Sequence, residues 1–220
     1  MVLLVAVIAY IAGKFRYDEA GTPFQLFEIH PDHWQLVHID VETTGLIPGY
    51  HEMIDIGIVL TDVKGNIGDS LFLRIQPDHP GRLSEGARQV NAFDVDRWKE
   101  LGALQAGAAV DSIIEFHRRR TGEKRLMLVA HNSYFDAAFL DHFFRDADRS
   151  WRTLYHYYVL DISSMMWSLG FRNLTGDSLR ALYKIPDEPQ IPELHTGITG
   201  AMKNARTYQA IYQYRKEHFR

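Results

Sequence analysis

His38-Ile39-Asp40-Val41-Glu42-Thr43-Thr44-Gly45-Leu46 sets two acids one residue apart inside an apolar, β-branched run. Alternate side chains of a strand share a face, so Asp40 and Glu42 point the same way. Carboxylates that close repel one another and resist losing water, a cost relieved by solvent or by a bound cation. A divalent-metal site and a solvent-facing pair on an edge strand both meet that condition. The surrounding sequence has to separate them.

Working outward, residues 35–42 read as a core strand and 53–60 as a second, with Lys64-Gly65-Asn66 turning the chain into a third at 70–75. This is an antiparallel meander, ended by Pro77 and Pro80. Ser84 is the N-cap of a helix running to Asn91, and a second helix over 104–120 carries Val110, Ile113, Ile114 and Phe116 mostly on one face. Its closing Arg118-Arg119-Arg120 complements the helix dipole. The apolar run Arg125–Ala130 reads as a strand and leads directly into His131-Asn132-Ser133-Tyr134-Phe135-Asp136 and a helix with Phe139, Leu140 and Phe143 at helical spacing. A short strand at 158–162, short helices at 163–169 and 178–183, a loop stiffened by Pro186, Pro189 and Pro192, and a final helix over 199–218 complete the chain. A strand meander followed by strands alternating with helices predicts an α/β layer fold with a mixed sheet.

At 220 residues and 46% hydrophobic, the chain has the size of one domain with a substantial core. A net charge of −4 gives no global attraction to nucleic acid or anionic membranes, so a polyanion must be held by a local basic patch or by bound metal. The absence of cysteine excludes disulfides, thiolate metal sites and a cysteine nucleophile. Metal ligation is left to His, Asp and Glu, which suits Mg²⁺ or Mn²⁺. Residues 1–12 are apolar, but fall short of the roughly 20 residues of a membrane-spanning helix. Lys14 and Arg16 follow that run instead of preceding it, unlike the basic start of a signal peptide. The expectation is an apolar segment and linker over 1–34, available to a protein partner or a homodimer contact, and a catalytic domain over 35–220, in a cytoplasmic protein with no transmembrane span.

If the strands carrying residues 35–42 and 125–130 are neighbours, Asp40, Glu42 and Asp136 converge at their ends. Carboxylates gathered in this way can hold two cations roughly 4 Å apart, which stabilise both the attacking and leaving oxygens of a phosphodiester. His195, after the proline-rich loop, has an ordinary pKa of about 6.5 and suits a general base for the attacking water.

In order along the chain, Asp40-Val-Glu42-Thr-Thr-Gly45-Leu46, then Ala130-His-Asn132-Ser-Tyr-Phe135-Asp136, then His195-Thr-Gly-Ile-Thr-Gly-Ala201 resemble the three motifs of the DEDDh exonuclease family. That family includes the proofreading subunit of bacterial replicative polymerase and ribonuclease T. The similarity extends over about residues 35–212 and takes in Ser84-Glu-Gly-Ala-Arg-Gln-Val-Asn91, which resembles the family's helix before the second motif. The resemblance implies a ribonuclease H-like fold, a mixed five-stranded sheet flanked by helices, and 3′-to-5′ removal of nucleotides from single-stranded DNA or RNA ends with two Mg²⁺ or Mn²⁺ ions. It further implies that Asp40 touches both metals, that Glu42 holds the one activating water and that Asp136 supports the second. His195 would take the water's proton, and Thr43, Thr44, Leu46 and Asn132 would contact the terminal nucleotide, Leu46 by packing on its base.

The chain departs from the family's third motif, His-x-Ala-x-x-Asp, by placing Gly200 where the last acid belongs. Three carboxylates against two dications leave about +1 where four leave about zero. Weaker binding of the water-activating metal and low activity follow, unless another acid substitutes, with Glu193, Asp187 and Asp177 near enough in sequence to be considered. A catalytically inactive module that binds nucleic-acid ends or a protein partner is the alternative function.

Overall fold

The computed structural model describes residues 33–219. The apolar opening, and the partner or homodimer contact expected of it, lie outside the described residues. Strands β1 (Trp34–Thr43), β2 (Met53–Thr61) and β3 (Ile67–Arg74) form the antiparallel meander, and β4 (Arg125–Ala130) and β5 (Leu160–Asp161) extend it parallel to β1, in the order β3-β2-β1-β4-β5. This is the mixed five-stranded, ribonuclease H-like sheet. The helices are α1 (Glu85–Asn91), α2 (Val95–Glu100), α3 (Ala106–Arg120), α4 (Ser133–Asp146), α5 (Ile162–Ser168), α6 (Asp177–Leu182) and α7 (Gly197–His218).

The period of two in β1 distributes its side chains between two helical layers. Val37, Ile39 and Val41 pack with Val110 and Ile113 of α3 and with Phe139, Leu140 and Phe144 of α4. Leu36, on the opposite face, packs with Val129, Ile162 and Met166 of α5, Leu179 of α6 and Ile211 of α7. Asp40 and Glu42 belong to this second face, and α7 lies across it. No helix among the described residues is long and apolar enough to cross a membrane.

Three boundaries differ from the sequence reading. The short helix α2 was not expected, although its signal is present: Asp94 caps it by accepting from the backbone N–H groups of Asp96 and Arg97. It seats Trp98, whose indole N–H donates to the Ile54 carbonyl at 2.7 Å. Strand β3 starts at Ile67, and β5 is cut to two residues because Asp161 turns to cap α5, accepting from the Ser164 N–H at 2.8 Å.

The feature that makes the site is where β4 stops pairing. Its last partner on β1 is His38, opposite Val129, so from Ile39 onward β1 has an open edge on that side. Buried backbone groups there need other partners. The Ile39 carbonyl accepts from Asn204 of α7 at 2.9 Å, and the Val41 N–H donates to the carboxylate of Asp136 at 3.2 Å. Two helices from opposite layers are thereby drawn to the carboxyl end of β1, the position where open α/β sheets place their ligands.

The lower layer holds a pH-sensitive pair remote from that edge. Buried His117 on α3 meets the Tyr155 hydroxyl at 2.8 Å through Nε2, while its buried Nδ1 has no partner. Burial depresses the imidazole to about 4. The unfolded chain takes that proton near 6.5, so the stabilisation is complete above 6.5 and is lost as pH falls toward 4, about 3 kcal/mol in all. The urea midpoint should fall across this window, and the fall should be smaller in His117→Gln. An equal fall in both proteins would mean that His117 titrates as an exposed histidine.

Candidate active site

Asp40 and Glu42 reach the α7 face as expected, and the register of the meander adds a residue that the sequence reading missed. Glu42 pairs with Asp55 and Asp40 with Gly57 across β1 and β2. Asp55 is completely buried, accepts from the Gly197 N–H at the start of α7 at 2.8 Å, and leaves its second oxygen without a partner. Within Met53-Ile-Asp55-Ile, a lone acid near the start of a fully buried strand is the one signal that could have revealed it.

Helix α7 approaches because both surfaces lack side chains. A Cβ on Gly57 would lie 2.1 Å from the Gly197 carbonyl oxygen, and one on Gly197 would lie 2.5 Å from the Asp40 carbonyl oxygen. The helix starts in a capping box between Thr196 and Thr199, which fixes the direction in which the chain leaves His195. His195 Nε2 lies 3.2 Å from Glu42, and its other ring nitrogen faces Glu188 at 3.7 Å. Glu42 is steadied from its other oxygen by Asn91 of α1, a second residue the sequence reading did not single out.

The electrostatics are those of acids held together without enough positive charge. Burial, then the charges of Asp136, Glu42, Glu188 and Asp55, raises Asp40 well above the ordinary carboxylate range. Burial likewise raises Asp136 to about 8 and Asp55 to about 7. His195 is raised as well, to about 9, because its hydrogen bond to Glu42 stabilises the imidazolium.

For a pair of hard dications, the donor chemistry fits: Asp40, Glu42 and Asp136 offer carboxylate oxygens at one strand end, and the raised proton affinities of Asp40 and Asp136 show that positive charge is wanted there. Each of the three has a partner of its own. Asp136 is turned to the Val41 N–H, Glu42 to His195, and Asp40 lies against α7, where a Cβ on Gly200 would meet its carboxylate oxygen at 2.2 Å. Among the described residues no three His, Asp or Glu side chains are gathered as a finished coordination group.

The residues expected to contact a nucleotide divide into two kinds. Thr43 and Thr44 are buried, the first donating its hydroxyl to the Gly45 carbonyl at 2.7 Å and the second accepting from the Glu52 N–H at 2.9 Å. They hold the turn after β1. Leu46 is 79% exposed, and Asn132, in the left-handed conformation at φ 59°, is exposed at the start of α4. Tyr134, also 79% exposed, adds an open aromatic face two residues before Asp136.

Several solved structures share this architecture. The nuclease domain of 3′hExo, described as a DEDDh family member bound to rAMP, superposes with a TM-score of 0.68 at 15% identity, over 84% of this chain and 94% of that one. A 3′-exonuclease that recognises the histone mRNA stem-loop gives 0.63 at 15% identity, with 81% of each chain covered. Exonuclease I of E. coli in complex with a dT13 oligonucleotide gives 0.67 at 12% identity, covering 84% of this chain and 42% of that longer one. At such identities the likeness is one of fold. No curated protein matches the sequence. The family model described as Exonuclease (RNase_T), however, matches residues 37–208, a span that takes in Asp40, Glu42, Asp136 and His195 alike, and on that match this chain belongs to the exonuclease family.

Proposed function

We propose that this domain is a metal-dependent 3′-to-5′ exonuclease acting on single-stranded DNA or RNA ends. One observation carries the reading: Asp40, Glu42, Asp136 and His195, drawn from a strand, a helix start and a loop, meet at the open edge of β1 with too little positive charge. Asp40, Glu42 and Asp136 would hold Mg²⁺ or Mn²⁺. When bound, such ions lower the pKa of a water and stabilise the attacking and leaving oxygens of the phosphodiester.

His195 takes the proton of that water at Nε2, the nitrogen now facing Glu42. Glu42's charge is what keeps the ring protonated, and neutralising that charge returns the imidazole toward its ordinary range, where it accepts a proton near neutrality. Glu188, 3.7 Å from Nδ1, faces the opposite nitrogen of the ring. Leu46 and Tyr134 give the terminal base apolar and aromatic faces, contacts that tolerate any sequence.

The test is release of mononucleotides from 3′-labelled single-stranded DNA and RNA by purified protein in millimolar Mn²⁺, with chelator as control. Release that stops with EDTA is expected, and Gly200→Asp should be at least as active as the parent. In that variant Asp40 must rotate off the helix, a movement open to it because the obstacle is the end of a side chain. Intact substrate with both proteins would refute the proposal.

A further inference from the structure

We propose that Glu188, carried on the proline-rich loop between α6 and α7, is the fourth carboxylate of the cation site and takes over from the acid that Gly200 does not supply. The inference rests on the metal-dependent reading of Asp40 and Glu42. The missing acid is expected on the first turn of α7, and Glu188 lines one cavity with Ile198 and Thr199 of that turn, its Oε1 lying 2.8 Å from Nζ of Lys203 on the next. Its other oxygen lies 3.7 Å from His195 Nδ1. The side chain is only 12% exposed, and its charge acts on Asp40 and His195 together.

The three acids nearest the gap by sequence do not share this position. Asp177 is exposed and pairs with Arg180 and Thr175. Asp187 is exposed and turned to Lys203 at 2.8 Å. Glu193 is exposed and meets Arg97 through its backbone carbonyl. Of the four acids, Glu188 is the one with a carboxylate oxygen within 4 Å of the His195 ring. Beside Glu42, the buried Asp55 leaves its second oxygen without a partner.

Lys203 makes the substitution workable. It holds Asp187 and Glu188 at the same 2.8 Å, so Glu188 can turn to a cation while Asp187 keeps the ammonium paired. Pro186 and Pro189 bracket the residue, and their fixed φ limits the freedom the loop would lose on holding a ligand. With Glu188 included, four carboxylates face two dications and the charge deficit of about +1 disappears.

Titration with Mn²⁺ alone, followed by the EPR signal of the free ion, tests this without reference to catalysis. Glu188→Gln should weaken binding by about tenfold or more, a loss typical of disturbing a metal's shell. Asp187→Asn, which removes only a partner of Lys203, should weaken binding less than Glu188→Gln does, and adding Gly200→Asp to Glu188→Gln should restore affinity. Metal-free melting temperatures of Glu188→Gln and Asp187→Asn should match the parent, which separates lost binding from lost folding. If Asp40→Asn loses Mn²⁺ while Glu188→Gln binds it normally, Glu188 is only the partner of Lys203 and the proposal fails with the metal reading intact. A parent protein that binds no Mn²⁺ overturns both.

Discussion

Asparagine in place of Asp40 should remove 3′-end degradation almost completely while making the metal-free protein more heat-stable. The two effects share a cause. Asp40 sits among Asp136, Glu42, Glu188 and Asp55, and burial with these charges raises its proton affinity far above that of the unfolded chain. A carboxylate shifted in that direction favours folding at low pH and opposes it as pH rises past the unfolded value of about 3.9. At neutral pH the ionised group therefore costs stability, and the neutral amide of the same shape relieves the cost. The same charge is what a cation needs: losing about 4 kcal/mol of transition-state stabilisation from a metal site lowers the rate about a thousandfold. Calorimetry with and without Mn²⁺ should show a higher melting temperature for metal-free Asp40→Asn than for the parent, and little further rise on adding Mn²⁺. An unchanged or lower melting temperature would mean that Asp40 is not a source of strain.

Alanine at position 57 should be the most damaging single-methyl change in the fold. Its Cβ would lie 2.1 Å from the Gly197 oxygen, 2.2 Å from the Gly197 carbonyl carbon and 2.3 Å from the Ile198 nitrogen. All three are backbone atoms at the start of a capped 22-residue helix, so no rotamer change can relieve the clash. Either β2 or the first turn of α7 has to move. Overpacking of this sort costs about 3 kcal/mol or more, which for a domain of this size lowers the melting temperature by roughly 6–12 °C. Catalysis should fail even at temperatures where the variant is folded, because His195 immediately precedes the displaced turn. A Gly57→Ala protein with the parent's melting temperature would show that α7 does not press on the strand as described. The contrast with Gly200 is instructive, since its nearest obstacle is the Asp40 carboxylate, which can swing away.

The parts of the site that were legible in the sequence are those fixed by local periodicity. Alternation placed Asp40 and Glu42 on one face, and the run ending at Ala130 placed Asp136 on the first turn of a helix beginning at a strand end. The mixed sheet followed from the order of elements. Asp55 was not legible, because its importance depends on standing opposite Glu42, and that register emerges only once the meander pairs. Glu188 was hidden for a related reason: proximity along the chain favoured Glu193 and Asp187, while the turn of the loop decides which acid faces inward. Thr44 reads as a pocket residue in the motif, yet its hydroxyl is spent on the Glu52 N–H and its side chain is sealed. Local patterns carried direction and order, and long-range pairing carried everything that depends on who faces whom.

Helix α7 is pinned to the sheet side at three well-separated points: Gly197 to Asp55, Asn204 to the Ile39 carbonyl, and Tyr208 to the Val63 carbonyl beyond β2. One pin would permit rolling and two would permit hinging, but three along one axis leave the helix almost no independent degree of freedom. The wall that α7 builds beside Asp40 therefore moves only with the sheet. Any widening beside that wall falls to the segment from Pro186 to His195, which carries Glu188 and ends in His195 itself.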